Sequence, residues 1–221
     1  MRSSTVGLRL DLKSRLLTTL SYDIRSQIIG HILGDGWIGK SKTSKYPYFV
    51  FTQSLKRFEY VWYVYNNLSC LCQKSLTLSK SIRRGKTYYF IQLHTRSYPC
   101  LLNIYNMFYK INNNKIVKVI PNSIIDYLNP IVLAYWAMDD GAFASGGGFY
   151  LHTKSFSFLE VYKLAGLLHY KFNIFCTVQN HDNKPVIYIQ IKSIELFKNI
   201  VSPYYHKSLL YKFSSKKLKT V

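Results

Sequence analysis

The chain has 221 residues, 30 Lys+Arg against 10 Asp+Glu for a formal net charge of +20, and is 48% hydrophobic with 20 Tyr, 13 Phe and 3 Trp. A disordered basic tail lacks such apolar and aromatic material, so the chain is expected to fold, as one large domain or two of roughly 100 residues, with a field that draws polyanions. The longest apolar run, residues 131–138, is far short of the roughly 20 residues of a membrane span, and Cys70, Cys72, Cys100 and Cys176 show no C-x-x-C spacing, which leaves free thiols.

In chain order, residues 1–20 form an N-terminal extension. Arg2, Arg9, Lys13 and Arg15 with Ser3, Ser4 and Ser14 and the single acid Asp11 give it a faint resemblance to an amphipathic transit peptide, but cleavage there is not expected. Ile28-Ile29-Gly30-His31-Ile32-Leu33-Gly34-Asp35-Gly36 then reads as a short apolar helix closing on Asp-Gly; His31 is expected to pack within it. A basic loop follows with Lys40, Lys42 and Lys45, then an aromatic strand over 46–52, a helix over 57–68, and a hairpin whose tip carries Arg83, Arg84 and Lys86. Along its return strand Tyr89, Ile91 and Leu93 share the inner side, while Tyr88, Phe90, Gln92 and His94 share the outer, because successive side chains alternate.

The pattern then recurs. Pro130 opens a helix over 130–138 that continues to a second Asp-Gly at Asp140-Gly141, a strand follows over 149–153, and an amphipathic helix over Phe158–Phe172. A hairpin with its turn over 180–184 places Ile187, Ile189 and Ile191 inward and Tyr188, Gln190 and Lys192 outward; Tyr150, His152 and Lys154 also face outward. Asp35 and Asp140 are 105 residues apart, Thr52-Gln53-Ser54 and Thr153-Lys154-Ser155 are 101 apart, the Tyr89 and Ile187 strands 98, and Lys118 and Lys212 94. Four correspondences in one order argue for duplication, giving two αββαββα units over 21–118 and 119–221. The fold class is therefore α+β with antiparallel sheets.

The paired acids are the sharpest feature. If the two apolar helices pack side by side, Asp35 and Asp140 emerge together at helix C-terminal ends. Repelling carboxylates and unpaired carbonyls there favour a hard divalent cation.

These two segments resemble the paired motifs of the LAGLIDADG homing endonucleases in their single-chain, pseudo-dimeric form; Leu133 to Gly141 is the more specific, Tyr135 departing from its usual Gly, and the first opens Ile28-Ile29 in place of Leu-Ala. The resemblance implies two sheets forming a DNA-binding saddle, the motif helices packed at its centre. It implies hydrolysis of both strands of a long specific DNA site with short 3′ overhangs, by a monomer acting as a pseudo-dimer. Asp35 and Asp140, with the backbone carbonyls of Gly34 and Asp139, would hold Mg²⁺, Mn²⁺ or Ca²⁺ being able to occupy the same sites. Lys118 and Lys212 would stand near the scissile phosphates, and Gln53 and Lys154 would order solvent. The outward residues Tyr88, Gln92, His94, Tyr150, His152, Tyr188, Gln190 and Lys192 would meet bases, and Lys40, Lys42, Lys45, Arg83, Arg84 and Lys86 would enter grooves or grip phosphates. The tail Lys216, Lys217 and Lys219 reads as a backbone clamp.

Residues 1–118 hold 19 Lys+Arg against 4 acids, and 119–221 hold 11 against 6; all eight arginines lie at or before Arg96. Guanine readout is therefore expected on the half-site bound by the first unit. The alternative function is an RNA-binding intron splicing cofactor, a maturase, on the same scaffold. The two acids argue for cleavage, since RNA binding alone has no need of them. Richness in Asn, Ile, Lys, Tyr and Phe suggests an AT-biased gene, which with the resemblance points to a mitochondrial or plastid intron.

Overall fold

A computed structural model describes residues 4–41 and 43–214. Lys42 and the tail Lys216, Lys217 and Lys219 lie outside the described residues. The chain divides into two compact units, Met1–Asn106 and Met107–Val221.

In the first unit, α1 (Leu12–Leu16) is followed by α2 (Tyr22–Leu33), β1 (Gly36–Gly39), β2 (Tyr48–Ser54), α3 (Phe58–Leu68), β3 (Thr77–Arg83), β4 (Lys86–His94) and α4 (Leu102–Phe108), whose last two residues cross into the second. The antiparallel sheet runs β1-β2-β4-β3. The second unit opens with a small hairpin, β5 (Tyr109–Asn112) and β6 (Lys115–Lys118), and a turn of helix, α5 (Ile124–Tyr127). It continues with α6 (Pro130–Asp140), β7 (Gly141–Phe143), β8 (Phe149–His152), α7 (Phe158–Phe172), β9 (Cys176–His181), β10 (Lys184–Ile189) and α8 (Ile194–Val201), its sheet running β7-β8-β10-β9. The order α2 to α4 and the order α6 to α8 are the same αββαββα series, and the α+β class with antiparallel sheets is observed.

Local chemistry sets the element ends. The Ser21 hydroxyl accepts from the Ile24 amide and Asn129 Oδ1 from the Val132 amide, capping α2 and α6. Ser157 and Glu160 form a reciprocal capping box on α7, and Asn173, at φ 55°, ends it in the left-handed region. Three hairpins close through pairs of residues with positive φ: Arg84 and Gly85, Asn113 and Asn114, Asp182 and Asn183. Such pairs match the twist of the flanking strands. The last of these turns is tighter than expected: Asn180, His181 and Lys184 are all paired in strands.

Each sheet buries one face under its helices. Phe49, Phe51, Tyr60, Ile91 and Leu93 form the first core with α2; Phe149, Leu151, Ile187, Ile189, Phe197 and Trp136 form the second. Each fully buried side chain of this size contributes about 1.5–3 kcal/mol relative to exposure. His31 is completely buried, its ring centroid 4.3 Å from Phe51 and 5.9 Å from Phe49, in the packing role expected of it.

Two expectations about the strands are corrected. Ile191 is 60% exposed, because β10 ends at Ile189 and a 3-10 turn begins at Ile191. Gln190 and Lys192 flank or join that turn instead of continuing the strand face, and Lys192 Nζ lies 3.6 Å from the Phe175 ring centroid. The repeat alignment also shifts. β2 pairs Gly36 with Phe51 and Phe51 with Leu93, whereas β8 pairs Gly141 with Leu151 and Leu151 with Ile187. Leu93 therefore corresponds to Ile187, and Gln53 to Thr153 instead of Lys154.

All four cysteines are free thiols. Burial pushes Cys72 up to about 12 and Cys100 and Cys176 up to about 11, so they stay protonated and unreactive at neutral pH. Among the described residues no helix is long and apolar enough to cross a membrane.

Candidate active site

Both motifs deliver an aspartate where an apolar helix turns into a strand. Asp35 follows Gly34, the cap of α2, and β1 starts at the next residue; Asp140 is the last residue of α6 and β7 starts at Gly141. The glycines are sterically required. A Cβ on Gly36 would meet His31 Cβ at 2.8 Å and Phe49 Cε2 at 2.9 Å, and one on Gly141 would collide with the Ala137 carbonyl and the Phe149 ring.

In the first unit Asp35 heads a polar chain. The Gln53 amide, buried at the end of β2, donates from Nε2 to Asp35 Oδ2 at 2.5 Å. Arg57, brought round by the 3-10 turn Leu55–Arg57, donates to Gln53 Oε1 at 3.1 Å and stands 4.0 Å from Asp35 Oδ2. A carboxylate, an amide and a guanidinium thus close a triangle, while the Asp35 side chain stays 38% exposed. Arg57 was not among the expected site residues. The available signal was its place four residues after Gln53, which a strand-to-helix corner brings to the same side.

In the second unit a different cation sits at the end of α6. Lys212, in the 3-10 helix Lys207–Phe213 and only 6% exposed, donates from Nζ to the carbonyls of Met138 at 2.6 Å and Asp139 at 3.0 Å. An ammonium on these carbonyls offsets the negative end of α6. The Asp139 carbonyl, expected to face a metal ion, accepts from this internal cation, and the Asp139 residue itself is buried. Thr153, at the position of Gln53, is buried and donates to the Pro185 carbonyl at 2.8 Å. Lys154 points elsewhere, pairing with Asp182 at 3.3 Å on the surface, so it does not repeat the Gln53 role. Lys118 ends β6 in the second unit, half-buried, with Nζ 5.2 Å from the Phe156 ring centroid.

The open sheet faces differ in chemistry as well. In the first, Gln92 donates to Thr52 at 3.0 Å, Tyr48 and His94 stack at 5.6 Å, and Tyr88 is 51% exposed. Lys40, Lys45, Arg83, Arg84 and Lys86 are exposed around it. In the second, Tyr150 lies within 6.2 Å of His152, 5.2 Å of His181 and 5.4 Å of Tyr188. Burial, and then the charges of Lys154, His181 and Lys212, hold the His152 imidazole below its ordinary value, so it is neutral at pH 7.

Among the described residues no three His, Cys, Asp or Glu side chains cluster as a metal cage. One carboxylate per unit, exposed or half-exposed, suits a hard cation that keeps waters and takes its remaining ligands from a substrate phosphate, as Mg²⁺ does.

Fold and site together define a duplicated α+β protein with one aspartate at the end of an apolar helix in each unit. The chain belongs to the LAGLIDADG DNA endonuclease family, whose sequence profile matches residues 25–197. It is 36% identical over 205 residues to the cytochrome b mRNA maturase bI2 of Saccharomyces cerevisiae, covering 89% of this chain but only 48% of that protein, about half its length. It is 32% identical over 218 residues to the probable intron-encoded endonuclease 1 of Wickerhamomyces canadensis, covering 88% of this chain and 85% of that one. Among solved structures it resembles the homing endonuclease I-WcaI bound to its DNA recognition sequence, with a TM-score of 0.81, 30% identity, and coverage of 90% of this chain and 89% of that one.

Proposed function

We propose that this chain is a site-specific double-strand DNA endonuclease, hydrolysing one phosphodiester in each strand of a long duplex site and leaving short 3′ overhangs. The observation that carries the reading is the aspartate held at the helix-to-strand junction of both units, one by Gln53 and Arg57, the other beside the Lys212-capped end of α6. Asp35 and Asp140, with the Gly34 carbonyl, would hold Mg²⁺, which when bound supplies an activated water and charge stabilisation at the leaving oxygen. Gln53 fixes the rotamer of Asp35, and Arg57 places a permanent positive charge beside it, where negative charge builds on a phosphate. Lys212 keeps α6's carbonyl end from repelling that phosphate, and Lys118 supplies a further cation in the second unit. The open sheet faces, with Tyr88, Gln92 and His94 in one unit and Tyr150, His152 and Tyr188 in the other, meet base edges. The protein acts as a monomer whose two units each serve one half-site, encoded in an organellar intron.

The test is cleavage of a plasmid carrying the intron-free junction of the host gene, with Mg²⁺, by wild type and by Asp35→Asn and Asp140→Asn. Linear product from wild type alone supports the reading; full cleavage by either variant removes that aspartate from the chemistry. The yeast relative is named a maturase, and this supports a second reading, RNA-assisted intron splicing on the same scaffold. Binding of intron RNA with no DNA cleavage by wild type would establish it.

A further inference from the structure

The segment ahead of residue 25 lies outside the family match, yet it is built into the first unit. The Thr5 amide donates to the Ser69 carbonyl and the Gly7 amide to the Gln73 carbonyl at 2.9 Å. Arg96, only 8% exposed, pins it from below, donating to Thr5 Oγ1 at 2.8 Å, to the Thr5 carbonyl at 2.8 Å, to the Leu8 carbonyl at 2.7 Å and to the Cys72 carbonyl at 2.5 Å. Every one of these acceptors is neutral, so the guanidinium keeps its full charge. Over it opens a cavity of about 460 Å³ lined by Arg9, Arg15, Arg96, His94 and Tyr48 among others, with no acid in the lining. Asp11, the acid of residues 1–20, accepts instead from the Ser14 amide at 2.7 Å as the cap of α1. His94 and Tyr48 belong to the open face of the sheet that also carries Gln92, so the cavity prolongs that face.

We propose that this cavity is a phosphate site added to the family scaffold: Arg9 and Arg15, backed by the charge of Arg96, take a backbone phosphate pair of duplex DNA as it leaves the first unit's sheet. The volume is that of a small-ligand site, and two guanidinium forks, that of Arg15 with its Nε on the Asp11 carbonyl at 3.4 Å, beside a buried third match phosphate geometry. The inference rests on duplex DNA being the ligand of the open face.

Backbone contacts are sequence-independent, so a random-sequence duplex is a sufficient probe. Its affinity is measured by fluorescence anisotropy from 50 to 200 mM salt for wild type, Arg9→Gln/Arg15→Gln and the charge-keeping Arg9→Lys/Arg15→Lys. Each phosphate contact contributes a log–log salt slope of about −0.9, so the Gln pair should be shallower by roughly 1.8 and the Lys pair close to wild type. Equal melting temperatures would show that both variants fold. A Gln-pair slope equal to wild type overturns the proposal. So does stabilisation of wild type, and not of the Gln pair, by inorganic phosphate together with an unchanged DNA slope, which would make the cavity a free-phosphate site. Absence of duplex binding by wild type overturns the underlying DNA reading instead, and this proposal with it.

Discussion

Gln53 shows how much one residue's register decides. On β2 its side chain emerges where the amide reaches Asp35 on one side and Arg57 on the other, and a shift of one residue along the strand would turn it to the opposite face. Matching Thr-Gln-Ser with Thr-Lys-Ser by sequence set Gln53 against Lys154; the strand pairing sets it against Thr153, and the lysine ends on the surface beside Asp182. The two aspartates were legible because Asp-Gly after an apolar run marks a helix end that glycine alone allows to turn so tightly. Arg57 was not, because its role depends on a strand-to-helix corner that no periodicity encodes. Arg57→Ala should lower the rate of at least one strand cleavage by about 10² with little change in affinity, in line with the removal of one charge-stabilising donor; nicking of supercoiled plasmid, followed strand by strand, measures it. Lys212→Met should both slow cleavage and destabilise the fold by roughly 1–3 kcal/mol, since two buried carbonyls lose their donor; urea unfolding followed by far-ultraviolet circular dichroism checks the second effect.

At the scale of elements, helices and strands were legible wherever apolar spacing ran long enough, and lost only at their ends. α7 falls where its pattern puts it because Ser157, Glu160 and Asn173 mark both termini in the sequence itself. The end of β10 carries no such mark: Ile191 continues the alternation of Ile187 and Ile189, but the chain has already turned. Glycine serves two different needs here, and mutation should separate them. Gly141→Ala forces a methyl into the Ala137 carbonyl and the Phe149 ring, so it should destabilise by about 1–3 kcal/mol and reduce cleavage through Asp140. Gly85→Ala meets open space at the tip of the β3–β4 hairpin and suffers only from its φ of +72°, so about 1 kcal/mol and intact cleavage are expected. Glu160 adds a pH dependence to α7. Burial pushes its carboxyl up, but the Ser157 hydroxyl and amide, the Ile120 amide and Lys163 outweigh it and hold it below its ordinary value of 4.5. The folded protein thus binds this proton less readily than the unfolded chain, and the stabilisation is complete above pH 4.5 and lost as pH falls through the lowered value. Thermal melts of Glu160→Gln should show a shallower loss of melting temperature on acidification than wild type.

The whole molecule carries its +20 unevenly, with 19 basic and 4 acidic residues up to Lys118 and 11 and 6 beyond it. That imbalance was legible from composition, but which charges remain for DNA was not, because it depends on what each arginine touches. Arg57 is tied to Gln53, and Arg96 is consumed in holding the N-terminal segment. Arg9 and Arg15 line the cavity beside that segment, away from base edges. Of the other described arginines Arg25 lies on α2, and Arg83 and Arg84, exposed at the β3–β4 turn, are the ones placed to enter a groove from the first sheet. The second sheet offers Tyr150, His152, His181 and Tyr188, which favour apolar contact and single hydrogen bonds over the bidentate grip that guanine rewards. A base-substitution scan across the cleavage site should therefore find guanine dependence concentrated in the half-site of the first unit, within reach of one hairpin. Arg83→Ala and Arg84→Ala should each relax that dependence by about 1–3 kcal/mol per base pair and leave preferences on the other half-site unchanged. Equal or greater guanine dependence on the other half-site, or variants that weaken all sequences alike, would show instead that the two arginines grip phosphates.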